Sequence, residues 1–200
     1  MKAIQITAFG GPDVMKYVDL ANPVAGTDEV VLDVTAVGIN YADTHQTENS
    51  YLSPQTLPMI PGIEVVGTHA GKRYLASVSS GGYAQKAIAH TSVLFPIPDA
   101  VTDEQALCML VQGATAWHLL KTMGNLQKGQ SVVVHAAAGG VGTIAIQLAK
   151  MWGGKVIAVT SSDAKAVLAK SLGADVTVDA QSSDLTAALR EANGGHGVDL

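Results

Sequence analysis

Residues 131–142, SVVVHAAAGGVG, constrain this chain more than any other stretch, because a β-branched run passes directly into a glycine-rich turn. The apolar positions around Val132, Val133 and Val134 read as a buried parallel strand. Beyond the turn, Val141, Ile144, Ala145, Leu148 and Ala149 recur at helical spacing, so a helix is predicted from about Gly140. A strand, a glycine turn and a helix in that order make an anion site, since the helix N-terminus presents unpaired N–H groups to a phosphate. Gly139 lets the backbone approach a pyrophosphate and Gly142 lets the helix pack on the strand, which makes Gly139, Gly140, Val141 and Gly142 candidate dinucleotide-binding residues. Ala137 stands where the first glycine of G-x-G-x-x-G belongs, so the motif is degenerate and depends on its context.

That context is present. A second apolar run, residues 155–160, follows Gly153-Gly154; a helix is predicted over 163–172, a strand over 175–179 and a helix over 185–192. Residues 197–200 read as the opening of a fourth strand. Alternating β and α at this spacing means a doubly wound parallel sheet. Such a sheet has about six strands, so the reading expects a chain that is part of a longer enzyme and a Rossmann sheet that is incomplete within it.

The first half differs in texture. Short strand-like runs at 3–7, 14–18, 29–37, 64–68, 74–77 and 83–88 alternate with Gly/Pro-rich breaks, which predicts an irregular antiparallel β domain. Helical patterns follow at 103–110 and 115–123. The expected domains are residues 1–115 and 116–200.

With 48% hydrophobic and 14% charged residues the chain can pack a core, and its net charge of −5 offers no footprint for nucleic acid or an anionic membrane. No apolar helix is long enough to span a bilayer and no signal sequence is read at Met1, so a soluble cytoplasmic protein is expected. The single cysteine, Cys108, sits in an apolar helical run and reads as a buried structural thiol. At the end of the second nucleotide strand, 20 residues past the turn, an NAD site places a carboxylate. Here Thr160, Ser161, Ser162 and Lys165 occupy that region, a set of hydroxyls and an ammonium that suits a 2′-phosphate, with Asp163 as an unhelpful neighbour.

The segments GINYAD (38–43), PGIEVVG (61–67), GYAQ (82–85), QGATAW (112–117) and HAAAGGVG (135–142) run in order along the chain. Together they resemble the zinc-independent, ζ-crystallin-like quinone oxidoreductase branch of the medium-chain dehydrogenase/reductase superfamily. The resemblance implies an α/β protein with a GroES-like β domain followed by a Rossmann domain, and a homodimer in the full-length form. It implies NADP(H) held by Ser161 and Lys165, although a tyrosine the family often uses there is Ala180. Asn40, Asp43 and Tyr51 are implied at the acceptor pocket, with Asn40 and Tyr51 as the catalytic candidates and Asn40 and Thr115 beside the nicotinamide. His45 and Thr47 stand where many members carry tyrosine and arginine. In zinc-using relatives the ligands fall near Ile39-Asn40 and at Ile63 and Val111, none of which can bind zinc here, so no metal is expected. The implied reaction is NADPH-dependent hydride transfer to a quinone. Reduction of an α,β-unsaturated carbonyl on the same scaffold stays open, as does a non-catalytic binding role for so short a chain.

Overall fold

The computed structural model describes residues 1–50 and 54–200, which divide into two compact units, Met1–Val111 and Gln112–Leu200. Tyr51, one of the candidate catalytic residues, lies outside the described residues.

The first unit is built on a five-stranded antiparallel sheet in the order β6-β3-β4-β5-β7. Its strands are β3 (Glu29–Val37), β4 (Glu64–His69), β5 (Lys72–Ser77), β6 (Lys86–His90) and β7 (Leu94–Pro96). A hairpin of β1 (Lys2–Gln5) and β2 (Lys16–Asp19) joins it through the bridges Ala3–Ala84 and Ile6–Met59. Both sheet faces are covered. Leu32, Val65, Ala76, Val78, Ala87 and Ala89 form one core, while Val66 and Leu75 pack with Ala106 of helix α2 (Asp103–Cys108) on another. A bulge between Val34 and Ala36 sets Thr35 apart, and its hydroxyl donates to Asp103 at the start of α2 (2.6 Å). Helix α1 (Tyr41–Thr47) interrupts the sheet between β3 and β4.

Several local expectations are corrected here. The strand expected at 14–18 starts at Lys16, because Pro12 at the first position of a 3-10 turn carries the chain through Pro12–Val14. The strand expected at 83–88 starts at Lys86, because Tyr83 and Ala84 are tied elsewhere, Tyr83 N–H to Pro61 and its carbonyl to Ile4 N–H. Cys108 is exposed rather than buried, since α2 turns Ala106 into the core and Cys108 lies two residues around the helix from it.

The second unit is a parallel sheet in the order β10-β9-β8, with β8 at Ser131–Val134, β9 at Lys155–Thr160 and β10 at Val176–Asp179. Helices α4 (Gly140–Met151), α5 (Asp163–Ser171) and α6 (Leu185–Ala192) alternate with the strands, after a short α3 (Ala114–Trp117) and the wide helical turns His118–Met123. The central strand β9 is buried on both sides: Val156 and Ala158 belong to the core under α4, Ile157 and Val159 to the core that includes Leu185 and Leu189 of α6. That double burial is why its sequence reads as an unbroken apolar run. Leu200 bonds the free edge of β8, donating to Ser131 O (3.1 Å) and accepting from Val133 N–H (2.8 Å), the pattern of a further parallel strand. Asp199 anchors this edge by accepting from Ser131 N–H and its hydroxyl (2.8 and 2.7 Å). Among the described residues no helix is long and apolar enough to cross a membrane.

Candidate functional site

The turn after β8 is formed largely by backbone. Its left-handed residue is Ala136 (φ 47°), an alanine in a conformation that costs an L-residue about 1–2 kcal/mol, and Gly139 N–H closes the turn on the Ala136 carbonyl (2.8 Å). Nothing in the sequence pattern marks Ala136 as the strained residue, because the motif's first glycine belongs one position later, at Ala137. Gly142 is sterically required: a Cβ on it would lie 2.5 Å from Ala136 O and 2.7 Å from Ala137 Cα. Helix α4 therefore starts in near contact with the turn, and its N-terminus has no side-chain cap.

Two cavities flank this turn. The larger, about 530 Å³, runs along β8 and is lined by the backbone of the turn, Leu119, Leu120, Ala145 and Leu200. The smaller, about 330 Å³, lies between the ends of β8 and β9 and is lined by His135 to Gly139, Val159 to Ser161, Lys165 and Ala180. In it Lys165 Nζ donates to Ser161 Oγ (3.0 Å), so the two candidates for a 2′-phosphate meet at the tip of β9. Asp163 does not line this cavity, and Lys165 brings it positive charge with no carboxylate in the lining. Ser162 caps α5 instead, its hydroxyl accepting from Lys165 N–H. Gly139, Gly140, Val141 and Gly142 all line the larger cavity, and Gly139 the smaller as well. Thr115 is exposed on α3 and lines neither. Gly139 of the turn lines the same smaller cavity as Ser161 and Lys165.

The first unit holds its candidates in a buried polar network. Asn40 precedes α1, and its Nδ2 donates to Glu64 Oε1 (2.8 Å). Glu64 is fully buried, and its second oxygen accepts Val111 N–H (3.1 Å). Gly38 makes room for this carboxylate, for a Cβ there would sit 2.1 Å from Glu64 Oε1. Asp43 Oδ2 accepts from Asn40 N–H (2.8 Å) and from the Tyr83 hydroxyl (2.6 Å). Burial raises the Tyr83 pKa far above that of free tyrosine, and the hydrogen bond to Asp43 and the charges of Asp43 and Glu64 add to it, so Tyr83 stays a proton donor. Asn40, Asp43 and Tyr83 line a cavity of about 470 Å³ together with Pro12, Met15, Ile39, Tyr41, Thr44, Thr47 and Glu48. Sequence reasoning reached Asn40 and Asp43 through resemblance but missed Glu64 and Tyr83 as their partners. The signal available was their place inside two of the quoted motifs.

Ile63 and Val111 carry hydrocarbon side chains at two of the positions where the resemblance implies ligands in zinc-using relatives. Among the described residues no three His, Cys, Asp or Glu side chains converge as a metal site would require. His45 bonds Ser50 (2.9 Å) and stacks edge-on with Tyr41, and Thr47 is buried with its hydroxyl on Thr44 O.

Comparison with known proteins matches residues 26–71 to the alcohol dehydrogenase GroES-like domain and residues 140–200 to the zinc-binding dehydrogenase family. The chain is 35% identical over 190 residues to a quinone oxidoreductase of Pseudomonas aeruginosa, covering 89% of this chain and 58% of that protein. Among solved structures, a probable oxidoreductase from Mycobacterium abscessus superposes with a TM-score of 0.91 at 36% identity, covering 99% of this chain and 67% of that one. Escherichia coli quinone oxidoreductase complexed with NADPH superposes equally well (TM-score 0.91, 31% identity), covering 99% of this chain and 64% of that one. The chain thus spans about three-fifths to two-thirds of the length of these relatives.

Proposed function

The chain belongs to the quinone oxidoreductase branch of the medium-chain dehydrogenase/reductase superfamily, and from that premise we propose that it serves NADPH-dependent hydride transfer to a quinone without zinc. The second unit, with its glycine turn, is the cofactor side; the first unit, with Asn40 and Asp43, is the acceptor side. When bound, the reduced nicotinamide supplies a hydride, which together with one proton from solvent converts a quinone to its hydroquinone.

The observation that carries the cofactor assignment is the Ser161–Lys165 contact at the tip of β9, where an NAD-selective site would hold a carboxylate. An ammonium and a hydroxyl 3.0 Å apart can share a phosphate, and their hydrogen bonds are charge-assisted. The backbone N–H groups that open α4 hold the pyrophosphate, and Gly142 keeps them close to the turn. On the acceptor side Glu64 fixes the Asn40 amide by taking its N–H. The hydrocarbon side chains of Ile63 and Val111 support the zinc-free route, because they offer no donor to a Lewis-acid metal.

The test is cofactor discrimination. NADPH is expected to bind more tightly than NADH by about 1–3 kcal/mol, the range of hydrogen bonds to a charged group. Lys165→Ala should remove most of that difference and leave NADH binding unchanged, measured by titration of both cofactors. Equal affinities in the unsubstituted protein refute the assignment.

A further inference from the structure

The two cavities beside the glycine turn have three lining residues in common: His135, Ala136 and Gly139. Of these only His135 carries a hydrogen-bonding side chain. In the larger cavity it stands alone, since every other described lining residue is glycine, alanine, valine or leucine. Val134 ends β8 beside Ala158 of β9, so His135 follows at the carboxyl end of the parallel sheet, where open α/β sheets bind their ligands. The residue is exposed, and its ring has no hydrogen-bond partner among the described residues. A histidine ring keeps at least one N–H donor whether neutral or charged.

A dinucleotide with its 2′-phosphate on Ser161 and Lys165 begins in the smaller cavity. With its pyrophosphate at the opening of α4 it continues into the larger one, past the residues that both share. Gly139 N–H is already spent on Ala136 O, and α4 has no side-chain cap. We infer that His135 donates a hydrogen bond to the pyrophosphate of the cofactor, beside the first N–H groups of α4. The inference rests on the proposed cofactor reading and adds to that site a residue that serves NADPH and NADH alike. Lys165 distinguishes the two cofactors, whereas His135 holds what they have in common.

Titration of the protein with NADPH, NADH and ADP-ribose tests this, alongside the variants His135→Ala and His135→Gln. An exposed position tolerates both substitutions, and circular dichroism checks that each variant is folded. His135→Ala should weaken all three ligands roughly tenfold, the loss of one hydrogen bond to a charged group, and leave the ratio of NADPH to NADH affinity unchanged. His135→Gln keeps an N–H donor and should recover most of that loss. A loss below about twofold for all three ligands overturns the inference, as does a glutamine variant as weak as the alanine one. A loss confined to NADPH puts the ring on the 2′-phosphate, and unaltered ADP-ribose binding puts it on the nicotinamide half; either result overturns the inference as well. Equal affinities for NADPH and NADH in the unsubstituted protein refute the 2′-phosphate assignment, while NADH and ADP-ribose still decide the role of His135. Binding of neither dinucleotide overturns both.

Discussion

In the second unit the candidate chemistry is local: the turn, the helix start and the phosphate pair all fall within residues 131–165, and Ser161 and Lys165 are four positions apart. In the first unit, apart from the bond between Asn40 N–H and Asp43, the contacts of the network are distant in sequence. Asn40 meets Glu64 across 24 positions, Asp43 meets Tyr83 across 40, and Glu64 meets Val111 across 47. The candidate site of one unit consists of backbone N–H groups and exposed side chains, that of the other of buried side chains that support one another. The difference sets how each should fail. A local backbone site is damaged by steric change at one residue, whereas a network is damaged by removing the residue that most partners share.

Glu64 holds two partners from a fully buried position, and Glu64→Ala is expected to cost most. It leaves Asn40 Nδ2 and Val111 N–H without their acceptor in a buried place, at about 1–3 kcal/mol each. Both tryptophans of the chain, Trp117 and Trp152, lie in the second unit and stack edge-on at 5.1 Å. Their fluorescence therefore follows the second unit while far-ultraviolet circular dichroism follows both. The Glu64→Ala loss should appear in the dichroism transition on urea unfolding and leave the tryptophan transition in place. Identical shifts in both probes would break the distinction drawn between the units.

Gly142→Ala is the counterpart in the second unit. The new Cβ meets backbone atoms that cannot rotate away, Ala136 O at 2.5 Å and Ala137 Cα at 2.7 Å. A destabilisation of about 3 kcal/mol is expected, the upper range for overpacking, now in the tryptophan transition. NADPH binding should fall with it, because the same contact sets the helix N-terminus against the turn. A variant that unfolds like the parent and binds NADPH normally would mean that α4 can move off the turn freely.

The same contrast explains what could be read from the sequence. Helix α6 and strand β9 were legible to the residue, and β8, α4 and α5 nearly so, because apolar periodicity, Gly153-Gly154 and Gly173 are local signals. The Ser161–Lys165 pair was legible for the same reason. The bulge at Thr35 and the crossing of Tyr83 and Ala84 toward β1 were not, since each depends on partners far along the chain. Cys108 was misjudged because an apolar run such as ALCMLV does not say which helix face turns inward. Asn40 and Asp43 came from resemblance alone, and their partners Glu64 and Tyr83 emerge only when the fold brings the strands together. No pattern within one segment encodes a contact that spans 40 residues.

The smallest expected effect separates the units by acid. In the first unit Asp103 is held below the ordinary carboxyl value of 3.8 by the Thr35 hydroxyl, and then, against the cost of burial, by Arg73, which reaches it at 2.6 and 3.0 Å. In the second, burial alone would raise the pKa of Asp175, but the Lys150 ammonium (2.8 Å) and Val156 N–H (2.7 Å) lower it on balance. A carboxyl whose folded pKa is depressed stabilises the fold above its unfolded value, and that stability is lost as pH falls through the folded one. Both contributions should therefore be intact at neutral pH and fade only below the ordinary value of 3.8. The ion pairs are about one-quarter to one-third exposed, so solvent screening keeps each effect below about 1 kcal/mol. Asp103→Asn should flatten the acid limb of stability seen by dichroism, and Asp175→Asn the one seen by tryptophan fluorescence. If either substitution flattens both limbs equally, the two units share one cooperative transition, and the division of labour argued from Glu64 and Gly142 fails as well.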